Sequence, residues 1–294
     1  MRGVPEDLAG YSGRKGGFML KRIISALVGM AVGVTALILD NFYVYLGLLS
    51  AFSAVGVWEL IHAVKCDKHK FLTWFCVIFA LCVPSLLVLD VLKRYRFTAF
   101  LGMVMILMCT MLFGHKKITF VDISSCGAAT FVIPTALSCI ISTRYMYEDY
   151  LPGVYLIVYL LFCAWIGDSG AYFVGTFLGK HKLCPDISPK KTVEGMVGGI
   201  VTVGIAVTVQ CLVYNMLLPS TIKMNPAVLI PVGMAACVMG VLGDLSASVI
   251  KRQYNVKDFG NIMPGHGGIL DRFDSVLFVA PFVYVVLSYL SPTM

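Results

Sequence analysis

The sequence predicts an all-α polytopic membrane protein with about nine transmembrane helices, on three observations. Of 294 residues, 59% are apolar and only 13% are charged, about half the charged share of a soluble domain. The apolar residues gather in runs of about 17–25, enough to cross a hydrocarbon core of about 30 Å as helices, which satisfy their own backbone there. The basic residues also alternate from side to side. With nine spans, 18 of the 23 Lys and Arg fall on one face and five (Lys93, Arg94, Arg96, Arg144 and Lys223) on the other. The richer face is expected to be cytoplasmic and to carry the N-terminus.

Residues 1–22 form a polar leader with Arg14, Lys15, Lys21 and Arg22. The apolar run after it lacks a small-residue cleavage site, so it reads as an uncleaved first span. The remainder, 23–294, reads as one integral-membrane domain. The runs lie at 23–39, 42–58, 71–92, 97–113, 120–142, 151–167, 197–218, 226–250 and 275–290. Pro84 and Pro134 are expected to kink their helices. Gly29–Gly33 and Gly195–Gly199 have the spacing of close helix contacts, and Trp58 and Trp74 flank the 59–70 loop as interfacial aromatics do. The ten cysteines form no CxxC pair and read as small buried hydrophobes, not as a zinc site or a disulfide framework. The net charge of +7 shows no basic face interleaved with aromatics. No nucleic-acid partner is expected.

Two long polar loops, 168–196 and 251–274, fall on the base-rich face and are expected to form the active site. In the first, Asp168 stands where the sixth span ends, followed by small residues that let a bound group approach the backbone. Lys190, Lys191 and Thr192 follow Ser188 and Pro189. This pattern suits phosphate oxygens and equally suits an interfacial anchor. Glu194 is placed to pair with Lys191 or to cap the seventh span.

The second loop concentrates charge in an apolar chain, which is costly without a function. On a helix, Asp244, Ser248 and Lys251 share one face with Arg252 adjacent; a salt-bridged helix end is the plainer reading of that stripe. Lys257 and Asp258 follow. Pro264 to Gly268 make a tight turn whose amides suit an anion, and Asp271, Arg272 and Asp274 open the ninth span. Carboxylates, cations and a glycine turn together suit a phosphorylated substrate held with Mg²⁺, which takes one or two carboxylates and keeps several waters.

These residues resemble a known family. Ser248-x-x-Lys251-Arg252, Lys257-Asp258, Gly260, Pro264-x-His266-Gly267-Gly268 and Asp271-Arg272-x-Asp274 are similar to the signature of the phosphatidate cytidylyltransferases (CDP-diacylglycerol synthases). Gly167 to Tyr172 and Ser188-Pro189-Lys190-Lys191-Thr192-x-Glu194-Gly195 are similar to that family's other cytoplasmic block. Met263, Ser169 and Thr176 depart from the pattern, and Thr176 is left out of the site for that reason.

The resemblance implies transfer of CMP from CTP to phosphatidic acid in phospholipid synthesis, with Mg²⁺ as cofactor. It implies Asp244 and Asp271 as metal ligands and as catalytic residues together with Lys251, Arg252 and His266. It implies substrate contacts from Asp168, Lys190, Lys191, Thr192, Ser248, Lys257, Asp258, Gly267, Gly268, Arg272 and Asp274. CTP, phosphatidic acid and the bilayer are the expected partners, and a homodimer is compatible with them. The base count fits a bacterial plasma membrane and does not speak against an endoplasmic-reticulum one. A CTP-dependent lipid kinase is the nearest rival. A transporter would need its charges at mid-membrane, and a scaffold would not need them at all.

Overall fold

A computed structural model describes residues 24–147, 153–217, 223–263, 265 and 267–293. The leader, Pro264 and His266 lie outside the described residues. The helices are α1 (Ile24–Leu39), α2 (Phe42–Ala63), α3 (Lys70–Val88), the single turn α4 (Asp90–Lys93), α5 (Arg96–Phe113), α6 (Phe120–Tyr145) and α7 (Val154–Leu161). A π-helical turn, Phe162–Ile166, leads into α8 (Gly167–Leu178). After a hairpin of β1 (Lys182–Cys184) and β2 (Ser188–Thr192) come α9 (Val193–Leu217), α10 (Pro226–Gln253), the short α11 (Leu270–Phe273) and α12 (Val276–Tyr289).

Among the described residues, seven helical runs are long and apolar enough to cross a membrane, and α1 and α12 are shorter apolar helices. Every expected apolar run therefore coincides with a helix. Local chemistry starts several of them. Asn41 caps α2 through the Tyr43 amide at 2.9 Å. Thr119 and Asp122 form a reciprocal capping box at α6, with the Thr119 amide donating to Asp122 Oδ2 at 2.8 Å. Asn225 caps α10 with Pro226 at the first helical position.

Two groups of helices make the body. In the first, α2, α3 and α6 pack together around Val57, Ile61, Cys76, Ala80 and Cys126, all fully buried. In the second, α8 lies on α9, and α10 lies on α9 and α12 around Val203, Val207, Ala236 and Val279. Helix α12 also packs on α6 and joins the groups. Helix α5 buries only Met103 and Leu107, as suits a peripheral span surrounded by lipid. All ten cysteines are free; six are buried, and Cys82 and Cys109 are exposed.

Two local features differ from the sequence reading. Residues 167–178, expected to open a loop, continue the helix, so Val154–Leu178 is one helical run. Small residues allow this: a Cβ on Gly195 would meet the Ala171 carbonyl at 2.7 Å, and one on Gly199 would meet the Gly167 carbonyl at 2.7 Å. The expected Gly195–Gly199 contact is therefore the α8–α9 seam. Gly33, by contrast, has nothing within 4 Å of a Cβ position. The second difference is the antiparallel β1–β2 hairpin, with Lys182 opposite Thr192, in a chain otherwise helical.

Candidate active site

The hairpin is held at its base by Glu194. Its carboxylate accepts the Lys180 amide at 3.1 Å and the His181 amide, and pairs with the His181 ring. Thr192 Oγ1 accepts the Gly195 amide at 3.1 Å and so caps α9. The end of α10 reaches the same hairpin through Arg252 Nε, which donates to the Ile187 carbonyl at 3.3 Å. Beside it the π turn, a feature often found at functional sites, leads directly into Gly167 and Asp168. Asp168 Oδ2 accepts the Ser275 hydroxyl at 2.6 Å, and Trp165 Nε1 donates to the Arg272 carbonyl at 3.3 Å. The two charged blocks are thereby joined into one wall.

Between them lies a cavity of about 850 Å³, within the range of small-molecule sites. Asp168, Lys190, Lys191 and Thr192 line it from the first block. Asp244, Lys251, Asp258, Asp271, Arg272 and Asp274 line it from the second. Ser248, Arg252, Lys257, Gly267 and Gly268 do not. Ser248 donates to Asp244 Oδ1 at 3.4 Å, so the expected stripe on α10 exists but points its hydroxyl at the carboxylate. Gly265 and Gly267 hold the positive φ values, 78° and 83°, that the tight turn requires. Lys182, Ser188 and Thr176 also line the cavity. Lys182 was legible only as a charge on the base-rich face, because its position depends on the hairpin register opposite Thr192.

The acids differ in how they are engaged. Asp271 is nearly closed off: Oδ1 accepts Lys251 Nζ at 3.0 Å, while Oδ2 accepts the Phe259 amide at 2.8 Å and the Gly268 amide at 3.0 Å. Lys251 Nζ also lies 3.8 Å from Asp274 Oδ2 and 5.1 Å from the centre of the Phe259 ring. Asp244 Oδ2 lies 2.6 Å from Lys191 Nζ. That nitrogen is out of hydrogen-bonding geometry, so the contact is a charge pair that leaves its donors open. Burial pushes the Asp274 carboxyl up to about 7, and nearby Asp244 adds to the push, while Lys251 and the Ser275 amide work against it.

Three mutually repelling carboxylates, Asp168, Asp244 and Asp274, thus meet at one wall. Such a hard-oxygen set suits a hydrated divalent cation that takes most of its shell from water and phosphate. Among the described residues no group of three or more acid, histidine or cysteine side chains is arranged to hold a metal ion by itself, so Mg²⁺ here would take most of its ligands from water and phosphate. The Asp244 side chain is 28% exposed against 12% for Asp274, whereas Asp271 would have to share oxygens that already hold a lysine and two amides.

Residues 20–290 match the family described as "Cytidylyltransferase family". The chain belongs to this family. It is 36% identical over 270 residues to the phosphatidate cytidylyltransferase of Bacillus subtilis (strain 168), covering 88% of this chain and 96% of that one. It is 36% identical over 198 residues to the phosphatidate cytidylyltransferase of Staphylococcus haemolyticus (strain JCSC1435), covering 67% of this chain and 72% of that one. The matched residues span both helix groups as well as the charged cavity wall.

Proposed function

We propose that this membrane protein transfers CMP from CTP to phosphatidic acid, giving CDP-diacylglycerol and pyrophosphate. Family membership and its named relatives support the reaction. The observation that carries it is the single cavity where the hairpin lysines meet the acids of α10 and the start of α11. A phosphate oxygen of phosphatidic acid attacks the α-phosphorus of CTP, a new P–O–P bond forms, and the bond to the β-phosphate oxygen breaks to release pyrophosphate. The attacking phosphate has a second pKa of about 6, so it is already a dianion near neutral pH and requires no protein base. What remains is to bring two polyanions together and to stabilise the leaving group.

Lys182, Lys190, Lys191, Lys251 and Arg272 are the groups placed to neutralise phosphates. Asp244, with Asp168 and Asp274, is placed to hold Mg²⁺, and Asp271 to fix Lys251. When bound, the ion supplies charge neutralisation for the triphosphate and the departing pyrophosphate. Lys191 and Lys251 pair with the same acids that would face the cation. Were Asp244 and Asp274 to hold the cation, Lys191 and Lys251 would be available to the phosphates.

The same reading extends to topology. With α1 and α12 counted as spans there are nine among the described residues, and the base distribution supports a leader and a cavity on the cytoplasmic side of a plasma membrane. Phosphatidic acid then enters laterally, and CTP from the cytoplasm. The test is pyrophosphate release by purified protein from CTP, with and without phosphatidic acid and Mg²⁺. Label from [α-³²P]CTP is expected in the lipid. Lipid labelled only from [γ-³²P]CTP would instead make the protein a lipid kinase.

A further inference from the structure

We propose that Glu59, on α2 and outside both charged blocks, is a positioning residue for the cavity wall; this rests on the cytidylyltransferase reading above. Glu59 is fully buried. Its Oε1 accepts the Ile269 amide at 3.0 Å and its Oε2 accepts the Leu270 amide at 2.8 Å. Among the described residues no basic side chain pairs with it, so backbone amides alone compensate for taking a carboxylate out of water. That compensation is demanding, and a helix–loop contact needing only bulk would be met more cheaply by an apolar side chain.

The loop is shaped to this carboxylate. A Cβ at Gly260 or at Gly268 would collide with the Glu59 carboxyl group, so both ends of the 260–268 segment close around it. On the other side, Asp271 Oδ2 takes the Phe259 and Gly268 amides. Three consecutive amides, of residues 268, 269 and 270, are thus divided between two carboxylates, Asp271 inside the cavity and Glu59 behind it. With the backbone fixed at 269 and 270, the directions of Asp271, Arg272 and Asp274 follow, and Lys251 follows through its pair with Asp271. Glu59 touches neither the cavity nor the reacting atoms; it acts through the loop.

Two arms on the purified full chain test this. In the first, Glu59→Gln keeps the volume but sets an amide NH₂ against one of the two backbone N–H groups. The expected result is a fall in kcat of about tenfold or more, as for small misplacements of reacting groups, with the KM for CTP within about threefold. Gly268→Ala should produce the same split, and the double variant should lose no more than the worse single variant, because both disturb one contact. Wild-type kcat in Glu59→Gln, a loss of activity matched by an equal loss of folded protein, or single-variant losses that multiply would each overturn the inference. In the second arm, which needs no turnover, amide hydrogen exchange over 259–272 should accelerate in Glu59→Gln while exchange in α9 is unchanged. Unaltered protection at 259–272 would overturn it too. If wild-type protein fails to release pyrophosphate, the proposed function fails and the exchange arm alone decides the role of Glu59.

Discussion

The two ends of α2 hold ion pairs built from similar residues for opposite purposes. Beyond its N-terminal end, Arg144 of α6 grips Asp40 with a two-pronged fork, Nε to Oδ1 at 2.8 Å and Nη2 to Oδ2 at 2.6 Å. Tyr45 donates to the same carboxylate at 3.4 Å. At the other end lies the cavity wall, where Lys191 faces Asp244 without a hydrogen bond and Lys251 is shared by Asp271 and Asp274. A planar guanidinium fork fixes one geometry, whereas an ammonium is a point charge with rotatable donors and can change partners. The first pair closes the α1–α2 junction onto α6. The second set is built from ammonium groups that can change partners, as the proposed binding of a cation and a triphosphate would require.

The largest expected effect separates the two ends outright. Asp244→Asn should lower turnover at least about a hundredfold, the scale of losing one electrostatic catalytic contact, with little change in the thermal midpoint in detergent, since the Asp244 side chain is 28% exposed. Near-normal turnover at limiting Mg²⁺ would remove Asp244 from the site. Arg144→Met should behave in reverse. It removes both charge-assisted hydrogen bonds to Asp40, whose side chain is 33% exposed, and should cost about 1.5–3 kcal/mol, while turnover per folded molecule stays unchanged. Asp271→Asn should fail on both counts, because it loses the Lys251 pair and weakens the hold on two loop amides. An Asp271→Asn protein with wild-type thermal stability would show that those contacts do not anchor the loop.

A smaller effect follows from pH. Asp274 titrates near 7 in the folded protein, above its ordinary value of 3.8. Between those values the folded state holds a proton that the unfolded state lacks, so stability from this group grows as pH falls through 7, and the ionised form is a penalty at pH 8. Asp274→Asn should therefore raise the thermal midpoint most at pH 8, less at pH 6, and little only near pH 4. If the ionised carboxylate serves the cation, wild-type kcat/KM at limiting Mg²⁺ should climb from pH 6 to 8, and the variant should lose that climb. Ionisation of the lipid phosphate is common to both proteins and cancels in their ratio. A rise of equal steepness in both would separate Asp274 from cation binding.

The same contrast explains what was legible in the sequence. Apolar runs announced their helices because burial in lipid depends on composition and length. The spacing of Asp244, Ser248 and Lys251 announced a shared face because helical periodicity is local. Partner choice was not local. Nothing near Asp271 in sequence indicates that its oxygens hold the Phe259 and Gly268 amides, and nothing near Lys191 points to Asp244, 53 positions away. Glu59 was missed for a related reason. It sits one residue past the apolar run ending at 58 and so read as the start of a loop, although Leu60, Ile61 and Ala63 carry the helix onward to Ala63. Glycines after Asp168 suggested a loop, while their use was to bring α8 against α9.

The smallest expected effect tests whether every cavity lysine belongs to the exchangeable set. Lys190 is exposed, lines the cavity and makes no ion pair among the described residues, unlike Lys191 and Lys251. With no carboxylate to release, it has no partner to exchange, and its contribution reduces to a charge-assisted contact in solvent. Such a contact to an ionised group contributes at most about 1.5 kcal/mol when exposed, or roughly tenfold in affinity. Lys190→Ala should therefore raise the KM for CTP by about three- to tenfold with kcat nearly unchanged, and raised ionic strength should narrow the gap from wild type. Lys191→Ala should lower kcat as well, because it leaves Asp244 without its counter-charge. Identical kinetic profiles for the two variants would show that a lysine's carboxylate partner does not decide its role.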